Sequence, residues 1–285
     1  MHQGWARIII VPGVLTGLAL MWWAWPTGPR VQIVEVDGMA ELSRSGVQDP
    51  IVAQEGILLE VSDNVRTGAG GAAVIQFGSH TQIRIGPTSS VEVATVEDEG
   101  LFLELEEGAV RAIVRPDSGQ VRIGNEGRSV VGSDATFDVG VRDAVLQVRA
   151  VEGDVALEGV DRTGLSEGQT ATIRDRTAEV GDVPASLLLL VAPPEVDRTA
   201  ERTLTVRGQT VPSADVEIAG PVKTHRTRSN AEGEFELPIT LIEGENSATV
   251  QATNVFGESQ SKNLALPVLD TTAPKVGDSE VEYPR

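Results

Sequence analysis

An all-β chain is predicted by three observations. Short apolar stretches alternate with polar residues at period two, as in residues 73–77 and 82–85. Glycine or acidic turn signals separate such stretches roughly every 8–12 residues, the spacing of a sandwich, barrel or solenoid. Residues 31–180 contain no convincing amphipathic helical period. Period two sends alternate side chains to a core and to water, so each such stretch reads as a half-buried strand. The one exception to the all-β reading is an apolar run near the amino terminus.

That run, residues 8–25, is uncharged. About 18 apolar residues are just enough to cross a bilayer core as a helix. Arg7 precedes it and Arg30, Glu35 and Asp37 follow. Positive charge at its start favours residues 1–7 as a short cytoplasmic end. Trp22, Trp23 and Trp25 stand at its exit, where indoles favour the headgroup zone. Signal cleavage needs small residues one and three before the cut; Ala24 supplies one, but Trp22 then occupies the other. An uncleaved, single-pass inner-membrane anchor is therefore expected, with the body in the periplasm.

The body follows as strands. Residues 31–36 form a short apolar stretch ending at the turn Asp37-Gly38. Residues 61–87 hold the central pattern: a strand, a glycine-rich turn at Gly68, Gly70 and Gly71, then two more strands around Gly78-Ser79. Ala73, Ile75 and Phe77 alternate with Val74 and Gln76, and Ile83 and Ile85 alternate with Gln82 and Arg84. Leu101, Leu103 and Leu105 alternate with Phe102, Glu104 and Glu106 until Gly108, which is expected to end that strand. Val110, Ala112 and Val114 follow, then Phe137, Val139 and Val141. Leu146 and Val148 oppose Gln147 and Arg149. Glu-Gly steps begin at Glu55, Glu107, Glu152, Glu158 and Glu167, mostly ahead of an apolar strand, and read as a recurring turn.

These residues carry a resemblance. Asp63-x-Val65-x-Thr67-Gly68, a small-residue run and Ala73-Val74-x-x-Phe77-Gly78-Ser79 resemble the FecR domain family, with Ser62-Asp63 in place of its usual Gly-Asp. Glu107-Gly108-Ala109-Val110, the segment 132–139, Val151-Glu152-Gly153-Asp154-Val155 and Leu165-x-Glu167-Gly168-Gln169 extend it in order, over about residues 38–173. The resemblance implies a compact β-sandwich or solenoid in the bacterial envelope. Iron-uptake regulators of this family control a sigma factor through a sizeable cytoplasmic region. About seven residues before the anchor are too few to fold into one, so that role is not carried over.

Residues 181–192 read as a linker: the apolar run 187–191 is bounded by Pro184 and Pro193, and docking as a strand suits it better than spanning a membrane. Residues 193–270 contain five clear strands and turn signals suited to a sandwich. Gly208, Pro212-x-Ala214-x-Val216, Asn230-x-x-Gly233-x-Phe235, Leu241-x-x-Gly244-x-Asn246 and Asn254-x-x-Gly257 resemble bacterial Ig-like modules. Residues 271–285 are expected to form a disordered polar tail.

Composition restricts function. A net charge of −19 repels a phosphate backbone, which argues against nucleic acid. There is no cysteine, so neither disulfides nor thiol catalysis are available. His2, His80 and His225 are far apart in sequence and show no metal-ligand spacing. Serines lack a nucleophile elbow, and Gly68-x-Gly70-Gly71 opens a strand without a following lysine, unlike a phosphate loop. Glu97, Asp98, Glu99, Glu104 and Glu106 are the only acids dense enough to suggest glycosidase chemistry, although such a strand face is usually a solvated one. Calcium between the modules at Asp197 or Asp270 has no supporting loop spacing. No catalytic, cofactor-binding or metal residue is therefore predicted, and no cofactor. The expected role is non-enzymatic binding, scaffolding or signal reception, with an envelope protein or glycan as partner. The alternatives are an enzyme acting on cell-wall or polymer glycans, and a transmembrane sigma-factor regulator lacking the usual cytoplasmic domain.

Overall fold

The computed structural model describes residues 29–272, and every regular element among them is a strand. The apolar run 8–25 and all but the first two residues of the tail lie outside the described residues. No described helix is long and apolar enough to cross a membrane.

The first module contains β1 (Val31–Asp37), β2 (Ala40–Ser43), β3 (Ile51–Val52), β4 (Leu58–Leu59), β5 (Asn64–Thr67), β6 (Ala72–Phe77), β7 (Thr81–Ile85), β8 (Ser90–Glu97) and β9 (Gly100–Val114). It continues with β10 (Gln120–Asn125), β11 (Arg128–Gly132), β12 (Ala135–Arg142), β13 (Val145–Glu152), β14 (Val155–Glu158), β15 (Gly164–Leu165), β16 (Gln169–Arg174) and β17 (Thr177–Asp182). The chain lays successive hairpins alternately on two facing sheets. The front sheet runs β4, β1, β6, β7, β9, β12, β13, β16, β17. The back sheet runs β3, β2, β5, β8, β9, β10, β11, β14, β15. All neighbours are antiparallel except β9 and β10, which run parallel.

β9 belongs to both sheets. Its first half pairs with β8 and β10 behind, and its second half with β7 and β12 in front. Gly108 therefore does not end the strand, as the sequence suggested; it turns the strand from one sheet into the other. It sits at φ 98°, and a Cβ there would lie 2.1 Å from Ser89 Oγ. Glycine alone fits both the conformation and the close approach. The corner is closed by side chains. Ser89 Oγ accepts the Ala109 N–H at 3.0 Å, while Thr67 Oγ1 accepts the Ser89 N–H at 2.9 Å and donates to Gly86 O at 2.6 Å. Asp63, 3 % exposed, accepts the Glu60 N–H at 3.0 Å. The Asp-x-Val-x-Thr pattern is thus a device for two turns. The glycines of the Glu-Gly steps, 56, 108, 153, 159 and 168, all have positive φ.

One core lies between these sheets, with Ile33, Phe77, Ile85, Leu103, Phe137 and Leu146 among its fully buried side chains. The second module has its own core around Val216, Phe235, Ile239 and Val250. Its strands are β18 (Leu189–Val191), β19 (Arg198–Thr199), β20 (Thr203–Thr210), β21 (Asp215–Ala219), β22 (Thr224–Arg228), β23 (Glu234–Thr240), β24 (Gly244–Thr253) and β25 (Ser259–Leu269). They form a sandwich of β18-β20-β23 on β19-β25-β24-β21-β22. The proline-bounded run thus supplies the first strand of the second module, and Leu187 is already buried in that module's core.

Candidate functional site

The outer face of the front sheet is where the two modules meet. Pleating sends Phe137, Val139, Val141, Leu146 and Val148 inward, and so sends Asp138, Gly140, Arg142, Gln147 and Arg149 outward. The alternation suggests a solvated polar face. The structure corrects this: Asp138 is 3 % exposed and Gln147 7 %. The second module covers them with three loops, residues 211–214, 229–233 and 254–258.

Two of these loops are shaped by the Asn-x-x-Gly motifs. Asn230 Oδ1 accepts the N–H groups of Glu232 and Glu234 at 3.1 and 2.8 Å. Asn254 Oδ1 accepts those of Phe256 and Glu258 at 3.0 and 2.9 Å. Each asparagine replaces backbone partners and holds its loop in a fixed turn. The turn at Asn254 delivers Phe256 and Glu258 to the front sheet.

There Arg149 meets Glu258 in a two-pronged ion pair, with N···O distances of 2.6 and 2.8 Å. The same guanidinium lies over the Phe256 ring, 5.0 Å from its centroid. Arg142 donates to Asp215 at 2.9 Å, Gln147 to Pro212 O at 3.0 Å, and Arg174 to Ala231 O. Arg228 reaches back to Asp143 at 3.0 Å. Gly140 leaves room for the tip of the second module, since a Cβ there would lie 2.4 Å from Val255 Cγ1. The bond to Glu258 raises the Arg149 pKa, and its counterpart holds the Glu258 carboxyl below the ordinary glutamate range. Arg142, Arg149 and Arg174 each keep a buried Nε–H without a partner among the described residues. Each such donor costs about 1–3 kcal/mol, which offsets part of the ion-pair gain.

Beside this contact, Arg84, Gly86, Pro87, Arg111, Asp138 and Phe256 line a cleft of about 220 Å³. Arg111 holds Asp138 through bonds of 2.6 and 2.9 Å, and that bond raises the arginine's pKa.

Of the acids singled out in the sequence, Glu104 and Glu106 lie on the outer face of β9, Glu97 ends β8, and Asp98 and Glu99 form the turn between the two strands. Burial pushes the Glu104 carboxyl above its ordinary range, aided by the nearby Glu92, Glu106 and Glu126 charges and opposed by a hydrogen bond from the Glu126 N–H. A groove of about 370 Å³ beside it is lined by Glu97, Glu99, Phe102 and Arg122, and not by Glu104. Asp98 is exposed. His80 lies in the turn before β7 and His225 in β22, remote from each other in the sequence and on different modules. Asp270 accepts from the Thr272 N–H and pairs with Arg198 at 3.6 Å. No group of three or more His, Asp or Glu among the described residues is arranged to hold a metal ion.

Comparison with known proteins gives the class. Residues 63–156 match the model of the FecR protein family, and residues 187–268 match that of glucodextranase domain B. The chain thus carries a FecR domain followed by an Ig-like β-sandwich module. A crystal structure of a candidate anti-sigma factor from Parabacteroides distasonis ATCC 8503 is 13 % identical, with a TM-score of 0.37. That match covers 42 % of this chain and 58 % of the other, so the chain spans little more than half the length of that protein. A structure of a 1.5-MDa bacterial ice-binding adhesin is 15 % identical over 85 % of this chain and 92 % of that one, with a TM-score of 0.23. No curated protein sequence matches the chain.

Proposed function

We propose that this chain is a bacterial envelope protein, anchored in the inner membrane by residues 8–25, whose FecR domain and Ig-like module act together as a non-enzymatic binding and signal-receiving unit in the periplasm. The observation that carries the reading is the docking of the Ig-like loops on the front sheet through Arg149, Arg142, Gln147 and Arg174. A ligand or partner that grips one module is thereby felt by the other, because the shared ion pairs join the two cores. The anchor rests on the apolar run and on Arg7 before it.

Reporter fusions after Arg285 test the topology. A reporter active only in the periplasm is expected to work, and activity of a cytoplasm-only reporter there would refute the reading. Pull-down from crosslinked membranes then identifies the partner.

One observation favours a second reading, an enzyme acting on glycans: the raised pKa of Glu104 amid other acids. A glycosidase needs two carboxyls facing one cleft about 5–10 Å apart. Glu104 stands outside the neighbouring groove, and its Oε1 is held by the Glu126 N–H. Hydrolysis of a cell-wall glycan that is lost in Glu104→Gln would establish the enzyme reading.

A further inference from the structure

We infer that the cleft at the module junction is a binding site for a uronate, a sugar ring bearing a carboxylate. This deepens the binding reading above and rests on it.

Arg84 on β7 stands directly across from Arg111 on β9, which stands across from Asp138 on β12, which stands across from Arg149 on β13. Like charges placed directly opposite each other in a sheet repel. Two of the three arginines are already forked onto a carboxylate through two hydrogen bonds each, Arg111 onto Asp138 and Arg149 onto Glu258. Arg84 is not. Among the described residues its nearest carboxylate is Glu35 at 3.8 Å, and both side chains are more than half exposed. Such a pair is weak and easily exchanged for a better acceptor. In a chain of net charge −19, this cleft therefore holds a guanidinium with free donors.

The other walls select the rest of the ligand. Phe256 and Pro87 offer apolar surface suited to the flat face of a ring. Asp138 lies at the buried side of the cleft, only 5 % exposed, with two oxygens that each accept one bond from Arg111. An ionised carboxylate has about four acceptor positions, so capacity remains for hydroxyl donors. Arg84 would fork a carboxylate while Asp138 accepts from hydroxyls on the same ring. Asp138 would repel a dianionic phosphate more strongly than a singly charged hydroxy acid, whose hydroxyls can also donate to it. The volume, about 220 Å³, takes in one ring, so the second ring of a disaccharide stays outside the cleft.

The test is calorimetric titration of the full chain in detergent with digalacturonate, a neutral disaccharide of the same size and an acidic tripeptide. Saturable binding of digalacturonate alone is expected, weakening with salt. Arg84→Gln should weaken it about tenfold or more, the effect of losing charge-assisted hydrogen bonds. Arg84 is exposed, so this variant should unfold like the wild type; Arg84→Lys should recover only part of the affinity, because a point charge cannot fork a carboxylate. Absence of saturable digalacturonate binding, equal binding of the neutral sugar, tighter binding of the tripeptide, or an Arg84→Gln variant that binds as the wild type does would each overturn the inference. If digalacturonate fails while the two modules still unfold together, the ligand is wrong and the joint binding unit stands. If the modules also unfold separately, that reading falls as well.

Discussion

The Arg149–Glu258 pair offers a direct measure of how firmly the two modules are joined. Arg149 is 13 % exposed and Glu258 48 %, so the two truncations are not equivalent. Removing Arg149 forfeits two charge-assisted hydrogen bonds and its stacking on Phe256. It leaves behind a carboxylate that water can reach, which limits the loss to about 1–2 kcal/mol. Removing Glu258 strands a guanidinium that is mostly buried, with Asp138 and the like-charged Arg111 as its remaining nearby charges. That costs about 2–3 kcal/mol, since an unpaired buried charge bears its own desolvation penalty. The double variant should lose less than the sum, with a coupling of about 1–2 kcal/mol. The assay is urea unfolding of a fragment covering residues 29–272, followed by fluorescence and far-ultraviolet circular dichroism. The wild type should unfold as one cooperative unit, and Glu258→Ala should separate the two transitions. Additivity within about 0.5 kcal/mol would refute the claim that this pair joins the modules.

Three further outcomes follow from the same structure. Gly140→Val, which drives side-chain atoms into Val255, should uncouple the modules while leaving each core intact, read as two transitions where the wild type has one; a single unshifted transition would contradict the docking geometry. Phe77→Ala should cost roughly 3–5 kcal/mol and the neighbouring Gln76→Ala well under about 1 kcal/mol, because Phe77 is 1 % exposed in the core and Gln76 faces outward; equal losses would mean a wrong strand register. The two perturbed glutamates should act in opposite senses with pH. Glu258, whose pKa is lowered on folding, contributes stability that is present above the ordinary value of about 4.5 and lost as pH falls below it. Glu104, whose pKa is raised, weakens the fold once it ionises above that value, so Glu104→Gln should stabilise at pH 7 and have no such effect in acid. Denaturation midpoints between pH 3 and pH 8, a window bracketing the ordinary carboxylate range, would show the two trends, and parallel trends would count against both assignments.

Much of this architecture was already legible in the amino-acid sequence. The strand faces 73–77, 101–105 and 110–114 could be read because side-chain direction in a strand depends only on period two, a local rule. The turns were legible for a similar reason. The Glu-Gly glycines and the Asn-x-x-Gly loops answer to the backbone conformation of three or four consecutive residues. The prolines around residues 184–194 and two sets of turn motifs suggested two modules; the buried apolar side chains among the described residues form two clusters.

What the tertiary structure alone decided concerns partners distant in the chain. Gly108 reads locally as a strand end; it becomes a bend because β8 and β10 hold one half of β9 while β7 and β12 hold the other. The junction was invisible for a different reason. Asp138, Gln147 and Arg149 occupy the polar side of their strands, and a polar side chain satisfies the period-two rule equally well against water or against another module's loops. The choice rests on Pro212, Phe256 and Glu258, separated from their partners by 65 to 109 residues. No local pattern encodes a contact of that span, because the sequence specifies which face a side chain takes and only the packed fold determines what that face meets.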